Sequence, residues 1–439
     1  MPPVRADTLT EAFWNFDPFA VVDSTSPFFV DLGDFLDADS YGVAPFLKRR
    51  LSFEGRRRRF QHLGIVGHRG SGKTTQVRQT LSGLSPEGLR PVLVDALTNL
   101  DQGEFHFADC LLVIVRRVFD ALVEWKIEAL PSDELELVRL WFAEDLLTRE
   151  QSRTLQAEVT TEAKAETGLP FIAKLTAKLT AALKSNNVYR KEIRQRAERD
   201  VDDLVFRTNR VLDMANAALR SSDDAPPGLV IVFDNLEKIA DRTVVGEAII
   251  RRAEELRKLR THAVYFFDPA DQYSPSVSQP TQAFETHILP MVPIRDKDES
   301  METVSPGALR VIRELLDRRA DLSTVFENVD VCVTEIARAS GGLLRDVFQI
   351  ARRACELEHD TKLTVPTIQK AVFKLASERL SLTKTDHWPR LREIHRTKLL
   401  SNDEMDAHLL LHSLVLNYNG RSWWDVHPWV LTDARFSES

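Results

Sequence analysis

Short apolar runs alternate with segments of helical periodicity up to about residue 300. The runs are apolar at successive positions, as are strands that are buried on both faces of a parallel sheet. They lie at 62–66, 91–96, 229–233, 262–267 and 286–292. Helical patterns follow at 75–81, 107–126 and 244–259. This alternation predicts an α/β fold built on a five-stranded parallel sheet.

Two stretches depart from this alternation. Residues 130 to about 225 are charged, nearly free of proline and glycine, and helical in pattern, which predicts a helical insertion. Within it, residues 171–184 carry an apolar stripe flanked by lysines. Such a stripe usually packs on its own domain, and a membrane-surface helix is the alternative. Past Pro306 the pattern is helical again, at 307–319, 330–339, 342–358 and 365–379.

Changes in composition divide the chain into four parts. Residues 1–60 form an acidic, aromatic arm, expected to be extended, followed by a basic linker, and residues 61–304 form the core with its insertion. Residues 305–380 form a helical lid. Residues 381–439 end in a hairpin pattern with Asn419-Gly420 as a two-residue turn. Helices before such a hairpin predict a winged-helix domain.

Charge and cysteine content limit the classes of partner. The 439 residues hold 58 Lys+Arg against 66 Asp+Glu, a net charge of -8, which argues against a nucleic-acid coat protein but leaves room for a local basic face. Arg56–Arg59 is such a run, with two interpretations, a DNA or phosphate contact and a solvated surface. Three widely spaced cysteines, no signal-peptide pattern and no membrane-length apolar run predict a cytoplasmic protein without membrane contact.

The most specific motif follows the first apolar run. It consists of Gly67, His68, Arg69, Gly70, Ser71, Gly72, Lys73 and Thr74, with Thr75 continuing into a helix. This is the phosphate-binding loop, whose glycines let backbone N–H groups point at phosphate oxygens beside a helix N-terminus. Lys73 is expected to reach the β- and γ-phosphates and the Thr74 hydroxyl to bind Mg²⁺. We therefore expect ATP or GTP as the ligand.

A second nucleotide motif ends the third apolar run at Asp234, which we expect to bind Mg²⁺ beside Thr74. Asn235 follows and can orient a water but cannot take its proton. Glu237 lies two positions further on. Along a continuing strand it would share the face of Asn235, so its reach depends on how the chain turns after Asp234.

The layout resembles that of the AAA+ ATPases. The resemblance rests on five core strands, an acidic residue after the third strand and a lid that contains Gly341-Gly342-x-x-Arg345. It implies that Arg345 is the sensor 2 arginine, which touches the γ-phosphate. Asp268 stands at the sensor 1 position, which more often holds an uncharged polar residue, and a capping acid is the alternative. Family members carry a glutamate where this chain has Asn235, so hydrolysis is expected to be slow unless Glu237 supplies the carboxylate.

Within that superfamily the chain is most similar to origin-recognition-like and signal-transduction NTPases. Asp234-Asn235-Leu236-Glu237-Lys238 and Asp425-Val426-His427-Pro428 resemble a poorly described bacterial family often found in mobile or phage-defence loci. The resemblance implies an ATPase that acts as a homo-oligomer and controls a protein partner, in antiphage defence. The alternative is a DNA-binding ATPase of the replication-initiator or transposition-regulator kind, using Arg56–Arg59 and the C-terminal domain. A small-molecule phosphotransferase is a third class of function. The lid and the helical insertion argue against it.

Overall fold

The description below rests on a computed structural model. It describes residues 4–23, 25–32, 42–55, 60–84, 89–127, 198–220, 228–274, 279–358, 361–381, 383–418 and 423–437, with isolated positions between 130 and 195. Arg56–Arg59, the predicted turn Asn419-Gly420 and most of the predicted insertion lie outside the described residues. Among the described residues, no helix combines the length and apolarity needed to cross a bilayer.

The core is a five-stranded parallel sheet, as predicted. Its strands are β1 (His62–Val66), β2 (Leu89–Asp95), β3 (Gly228–Asp234), β4 (His262–Phe267) and β5 (Glu285–Ile288). They pair in the order β2-β3-β4-β1-β5. The last strand ends earlier than the predicted 286–292. The Leu289 N–H still donates to the Val66 carbonyl at 2.7 Å, but Pro290 has no N–H with which to continue the ladder.

Helices cover both faces of the sheet. After α1 (Leu9–Asn15), which packs against the lid and not on the sheet, they are α2 (Val43–Gly55), α3 (Lys73–Gly83), α4 (Phe107–Glu124) and α5 (Val201–Arg220). Successive side chains of β3 point to opposite faces. Ile231 and Phe233 pack with α4 and α5, whereas Val230 and Val232 pack with α2 and α3. The predicted α/β class is confirmed.

Short turns of helix connect the strands. They lie at Ala96–Asn99, Leu236–Lys238, Arg242–Val245, Gly246–Ile250, Ala253–Leu256, Pro269–Gln272 and Pro280–Ala283. The prediction of one helix over 244–259 is wrong in detail, because Gly246–Ile250 forms a π turn that separates two short α-helical turns. Glycine is a weak helix former, so the interruption begins where the local propensity is lowest.

The lid follows the predicted helices within a few residues. It comprises α6 (Pro306–Asp317), a turn at Leu322–Val325, α7 (Val329–Ser340), α8 (Leu344–Leu357) and α9 (Val365–Leu380). Gly341 and Gly342 separate α7 from α8 with φ of 60° and 82°. A Cβ on Gly342 would lie 2.0 Å from the Val292 carbonyl oxygen. Glycine is therefore required where the lid meets the core.

The C-terminal segment shares a core with the lid. It contains α10 (His387–Thr397), α11 (Glu404–Leu411), the antiparallel hairpin β6 (Val415–Tyr418) and β7 (Trp423–Val426), and turns at Pro428–Leu431 and Ala434–Ser437. Leu391 and Trp429 belong to the same buried cluster as Ile336 and Ile350 of the lid. The helices and the hairpin are present as expected, and the winged-helix assignment and the domain boundaries stay predictions.

The N-terminal arm also joins that cluster. The expectation of an extended arm is wrong for Leu9–Asn15, which forms a helix whose first turn is closed by reciprocal hydrogen bonds between Thr8 and Glu11. Phe16 is fully buried in the lid cluster, while Trp14 and Phe19 are largely exposed. The arm is thus anchored by a few aromatic side chains and presents others to solvent.

Candidate nucleotide site

The phosphate-binding loop connects β1 to α3. Gly70 and Gly72 have φ of 88° and 90°, a left-handed conformation that glycine adopts without strain. The Ser71 N–H donates to the His68 carbonyl at 3.2 Å, and the Gly67 N–H donates to the Phe267 carbonyl at 3.1 Å. The loop is therefore tied to β4 and curls onto the N-terminus of α3, the geometry that favours anions.

Lys73 opens α3 with a buried ammonium group. Its Nζ donates to the carbonyl oxygens of Gly67 at 2.5 Å and His68 at 2.9 Å, and lies 3.6 Å from Glu237 Oε1. Burial lowers the pKa of Lys73, and Glu237 opposes that shift. A buried cation bonded mainly to backbone carbonyls is suited to exchange them for phosphate oxygens.

Thr74 and Asp234 form the pair expected to bind a metal. The Thr74 hydroxyl donates to Asp234 Oδ1 at 2.8 Å. Arg78 Nη2 lies 3.5 Å from Asp234 Oδ2. Burial, with Glu237 nearby, raises the pKa of Asp234. A hydroxyl and a buried carboxylate in contact are hard oxygen ligands of the kind that Mg²⁺ prefers, so the residues fit that ion.

The chain turns sharply after Asp234, which decides where the next residues point. Asn235 has a φ of 64° and donates from Nδ2 to Asp95 Oδ1 at 2.7 Å. The short helix Leu236–Lys238 that follows places the buried Glu237 carboxylate beside Lys73. Glu237 Oε2 has no hydrogen-bond partner among the described residues. The turn thus brings Glu237 to the loop and directs Asn235 toward the end of β2.

Asp268 both caps a turn and lies near the phosphate loop, the two roles considered for it from the sequence. Its Oδ1 accepts the Ala270 N–H at 2.9 Å and caps the turn Pro269–Gln272. Its Oδ2 lies 3.8 Å from Arg69 Nε, which donates to the Glu237 carbonyl at 2.8 Å. Burial, with Asp271 adding to it, raises the pKa of Asp268 to about 7. The capping acid is therefore also next to the loop.

Arg345 of the lid lies directly against the loop. Its backbone N–H donates to the Gly70 carbonyl at 3.2 Å. Its side chain lines the same pocket as Gly72 and Lys73. Arg345 Nε is buried without a partner among the described residues, and burial lowers the pKa of the guanidinium. The lid cation therefore faces the loop with hydrogen-bonding capacity to spare.

The N-terminal arm covers this pocket, a contact that the sequence did not predict. Pro18–Val22 and Phe28–Val30 line it opposite Thr75 and Phe348. Apolar and aromatic side chains of this kind suit a nucleobase. The cavity holds about 140 Å³, less than the roughly 300–1,000 Å³ of typical ligand sites. The volume of the cavity as it stands is therefore small for a nucleotide.

A second missed feature is the contact of the loop with the C-terminal hairpin. His68 is fully buried, and its Nε2 accepts the Asn417 N–H at 3.2 Å. Burial lowers the pKa of His68 to about 3, so the ring is neutral and can accept this hydrogen bond. No sequence signal links residues 349 positions apart. Phosphate loop and hairpin are thus directly bonded.

The two arginines that precede β4, Arg257 and Arg260, lie away from this pocket. Arg260 forms an exposed ion pair with Asp213 at 2.6 Å. Arg257 donates to the Ala283 carbonyl. Both contacts lie at the sheet end from which β4 starts, whereas the phosphate loop follows the opposite end of β1.

Comparisons with known proteins do not assign this chain to a family. No protein-family model and no curated protein matches the chain. Among solved structures it is similar to Drosophila ORC bound to DNA, with 11% identity and a TM-score of 0.40 over 93% of this chain and 77% of that one. It is also similar to a Walker-type ATPase of Pyrococcus abyssi, with 12% identity and a TM-score of 0.39 over 88% and 94%.

The class assignment rests on the geometry instead. The parallel sheet, the left-handed glycines of the loop and the helices that contact the loop define an α/β fold with a phosphate-binding loop and a helical lid. The predicted fold class is confirmed at this level.

Proposed function

We propose that this protein is an ATPase that binds ATP with Mg²⁺ and uses its nucleotide state to control assembly or partner engagement. The observation that carries the proposal is the convergence of Lys73, Thr74, Asp234 and Glu237 at one loop, which the turn at Asn235 completes. Buried polar atoms are normally paired. A cluster of buried charges with unpaired atoms supports a site whose remaining partners come from a ligand.

Each residue has a defined task in this proposal. Backbone N–H groups of the loop and the Lys73 ammonium bind the phosphates. Mg²⁺, held by the Thr74 hydroxyl and the Asp234 carboxylate, would neutralise phosphate charge when bound. Glu237 orients the attacking water and accepts its proton, since its carboxylate lies 3.6 Å from Lys73 Nζ and its Oε2 has no partner among the described residues.

Arg345 supplies the link between nucleotide and lid. Its backbone is bonded to Gly70 and its side chain lines the pocket, so a γ-phosphate there attracts the guanidinium. The next residue, Asp346, is bonded to His427 of the C-terminal segment at 2.9 Å. ATP and ADP therefore hold α8 and the attached hairpin differently, which is the change that a partner or a second copy detects. A role in antiphage defence is supported by the sequence resemblance alone.

Single-turnover hydrolysis of labelled ATP tests the assignment of Glu237. Glu237→Gln keeps the shape of the side chain but cannot accept a proton, so the rate falls about 10²–10⁴-fold. Asn235→Glu leaves the rate unchanged or lowers it, because a second carboxylate beside Asp234 is repelled. Glu302→Gln, at an exposed position, is the control. An unchanged rate in Glu237→Gln, or a faster one in Asn235→Glu, contradicts the assignment.

The assembly part of the proposal has its own test. The mass of the intact protein is measured in solution in ATP and in ADP, each with and without duplex DNA. A larger mass in ATP that reverts in ADP is the expected result. The same mass in both nucleotides argues against control of assembly, and a DNA-dependent change in ATP turnover favours the DNA-binding alternative.

A further inference from the structure

A second cavity lies behind the phosphate loop, at the carboxyl ends of three core strands. Val66 at the end of β1, Ile288 at the end of β5 and Pro269 after β4 line it, and the C-terminal hairpin contributes Asn417 and Trp424. Its volume is about 460 Å³, within the range of small-molecule sites. It shares none of its described lining residues with the nucleotide pocket. Ligands of open parallel sheets bind at this edge.

The most unusual group in this cavity is the side chain of Asn417. It is 1% exposed, yet neither Oδ1 nor Nδ2 has a partner among the described residues. The backbone of the same residue is fully bonded, since its N–H donates to His68 Nε2 and its carbonyl accepts the Met291 N–H at 3.1 Å. Burying an unpaired amide is costly, so a donor and an acceptor are held ready for a partner.

Gln272 adds a third unpaired group on the same cavity. Its Oε1 accepts the Thr281 hydroxyl at 2.9 Å, which fixes the orientation of the amide. Its Nε2 is buried and has no partner among the described residues. Among the four amide side chains that line the cavity, Asn417 and Gln272 therefore provide two NH₂ groups and one carbonyl oxygen that have no partner among the described residues.

Aromatic side chains complete the lining. Asn417 and Trp424 are directly opposite across the hairpin, so their side chains leave it on the same face. Trp424 meets Tyr273 edge-to-face, with ring centroids 5.3 Å apart. None of the described residues that line the cavity is acidic, basic or a histidine. The lining thus suits a flat neutral ligand and offers no charge partner to an ion.

We propose that this cavity is a second ligand site, which binds a neutral planar group with adjacent hydrogen-bond donor and acceptor atoms, such as a carboxamide or a nucleobase edge. The carboxamide of Asn417 pairs with both atoms, as asparagine does with adenine, and Gln272 adds a donor. The aromatic pair contacts the flat face of the ligand. This site contains none of the residues assigned above to ATP binding or hydrolysis.

Nicotinamide and nicotinate are matched probes for this site, because they share a ring and differ in an amide against a carboxylate. Binding to the full-length protein is measured by ligand-observed NMR, with adenine as a further probe, with and without excess ADP. Nicotinamide should bind and nicotinate should bind at least about tenfold more weakly. ADP should not displace nicotinamide, since the two pockets have separate linings.

Substitutions of the amide residues in the cavity test where nicotinamide binds. Asn417→Leu should weaken nicotinamide at least about tenfold while the unfolding midpoint stays the same or rises, because an unpaired buried amide is replaced by an apolar group. Gln272→Met tests the same cavity should Asn417→Leu fail to fold, and should weaken the probe severalfold. Asn216→Leu is the matched control, since this buried amide accepts the Leu229 N–H at 3.0 Å, and should lower stability without affecting the probe.

Three results overturn the proposal. The first is that nicotinamide and adenine both fail to bind at millimolar concentration, which would mean that water alone occupies the cavity. The second is equal binding of nicotinamide and nicotinate. The third is unchanged nicotinamide binding in Asn417→Leu or in Gln272→Met.

Discussion

Arg345 and Asp346 are consecutive residues of α8, yet they belong to two clusters of buried charge that are built in opposite ways. Asp346 faces the C-terminal segment and accepts hydrogen bonds from Arg379 at 2.7 and 2.8 Å and from His427 at 2.9 Å. Arg345 faces the phosphate loop, where Lys73 and Glu237 are 3.6 Å apart. One cluster is closed by its own residues, and the other leaves buried atoms unpaired.

The closed cluster is part of a wider pattern around the hairpin. Asp425 is bonded to Arg295, to His395 at 2.8 Å and to Lys398 at 2.6 Å. In the open cluster, the atoms without partners among the described residues are Glu237 Oε2, Asp268 Oδ2, Arg345 Nε and Arg69 Nη2. Since folded proteins pair nearly all buried polar atoms, the difference supports the proposal that the open cluster binds a ligand.

Removing a member of the closed cluster should have the largest effect on stability. Asp346→Ala leaves the Arg379 and His427 side chains without their shared partner, and breaking such a buried pair costs about 3–5 kcal/mol. Urea unfolding followed by circular dichroism measures the loss. Asp330→Ala, which breaks an exposed pair with Arg313, is the control and should cost less than about 1 kcal/mol. Similar losses in both variants would remove the distinction between the two environments.

The two clusters should also give opposite pH dependence. Burial lowers the pKa of His427 to about 4, below the unfolded value of about 6.5. The unfolded state therefore binds the proton first, and this contribution to stability is lost as pH falls from about 6.5 to 4. Asp268, with its pKa raised to about 7, is protonated only in the folded state between about pH 4 and 7, so its contribution is lost as pH rises through that range.

Single variants separate the opposing contributions of His427 and Asp268 to the free energy of unfolding. Their pKa shifts correspond to at most roughly 3–4 kcal/mol each. His427→Gln keeps a donor for Asp346 and should reduce the loss of stability on acidification. Asp268→Asn should gain stability relative to the parent as pH rises from 4 to 7. Urea unfolding across this pH range is the measurement. Slopes that change in the same direction in both variants would contradict the account.

A smaller effect is expected at Arg345. Arg345→Ala removes a guanidinium whose described side-chain contact is the exposed ring of Phe19, 5.4 Å away, so the fold should persist. Preference for ATP over ADP should fall about tenfold, as expected for the loss of one charge-assisted hydrogen bond, with ADP affinity nearly unchanged. Calorimetric titration of both nucleotides measures it. Arg338→Ala, in an ion pair on α7, is the control. Equal losses for both nucleotides would make Arg345 purely structural.

The sheet, the lid helices and the phosphate loop could be predicted because their signals are local. Apolar runs, helix periodicity and a glycine motif each occupy neighbouring residues. The capping sequence of Thr8 and Glu11 was also a local signal for α1, although the surrounding prolines obscured it. By contrast, the helical period of residues 244–259 does not indicate the π turn at Gly246–Ile250, although it begins at a glycine, a weak helix former.

The parts of the site that could not be predicted depend on distant residues. The contact of His68 with Asn417 and the coverage of the pocket by the arm have no pattern in the sequence. The position of Glu237 depends on the left-handed turn at Asn235, which asparagine tolerates but does not impose. The sequence therefore left the role of Glu237 open, and the turn places it beside Lys73.

The most direct test of the central claim is the affinity of Lys73→Ala for ATP, measured together with its stability. Because Lys73 is a buried cation whose strongest contacts are two carbonyls, its loss should weaken ATP binding at least about 10–100-fold and leave the free energy of unfolding unchanged or higher. Lys370→Ala, outside the pocket, should match the parent in both. The assignment of this loop as a nucleotide site would be contradicted if Lys73→Ala bound ATP as tightly as the parent. It would also be contradicted if Lys73→Ala lost the fold while its remaining folded fraction kept the parent's affinity for ATP.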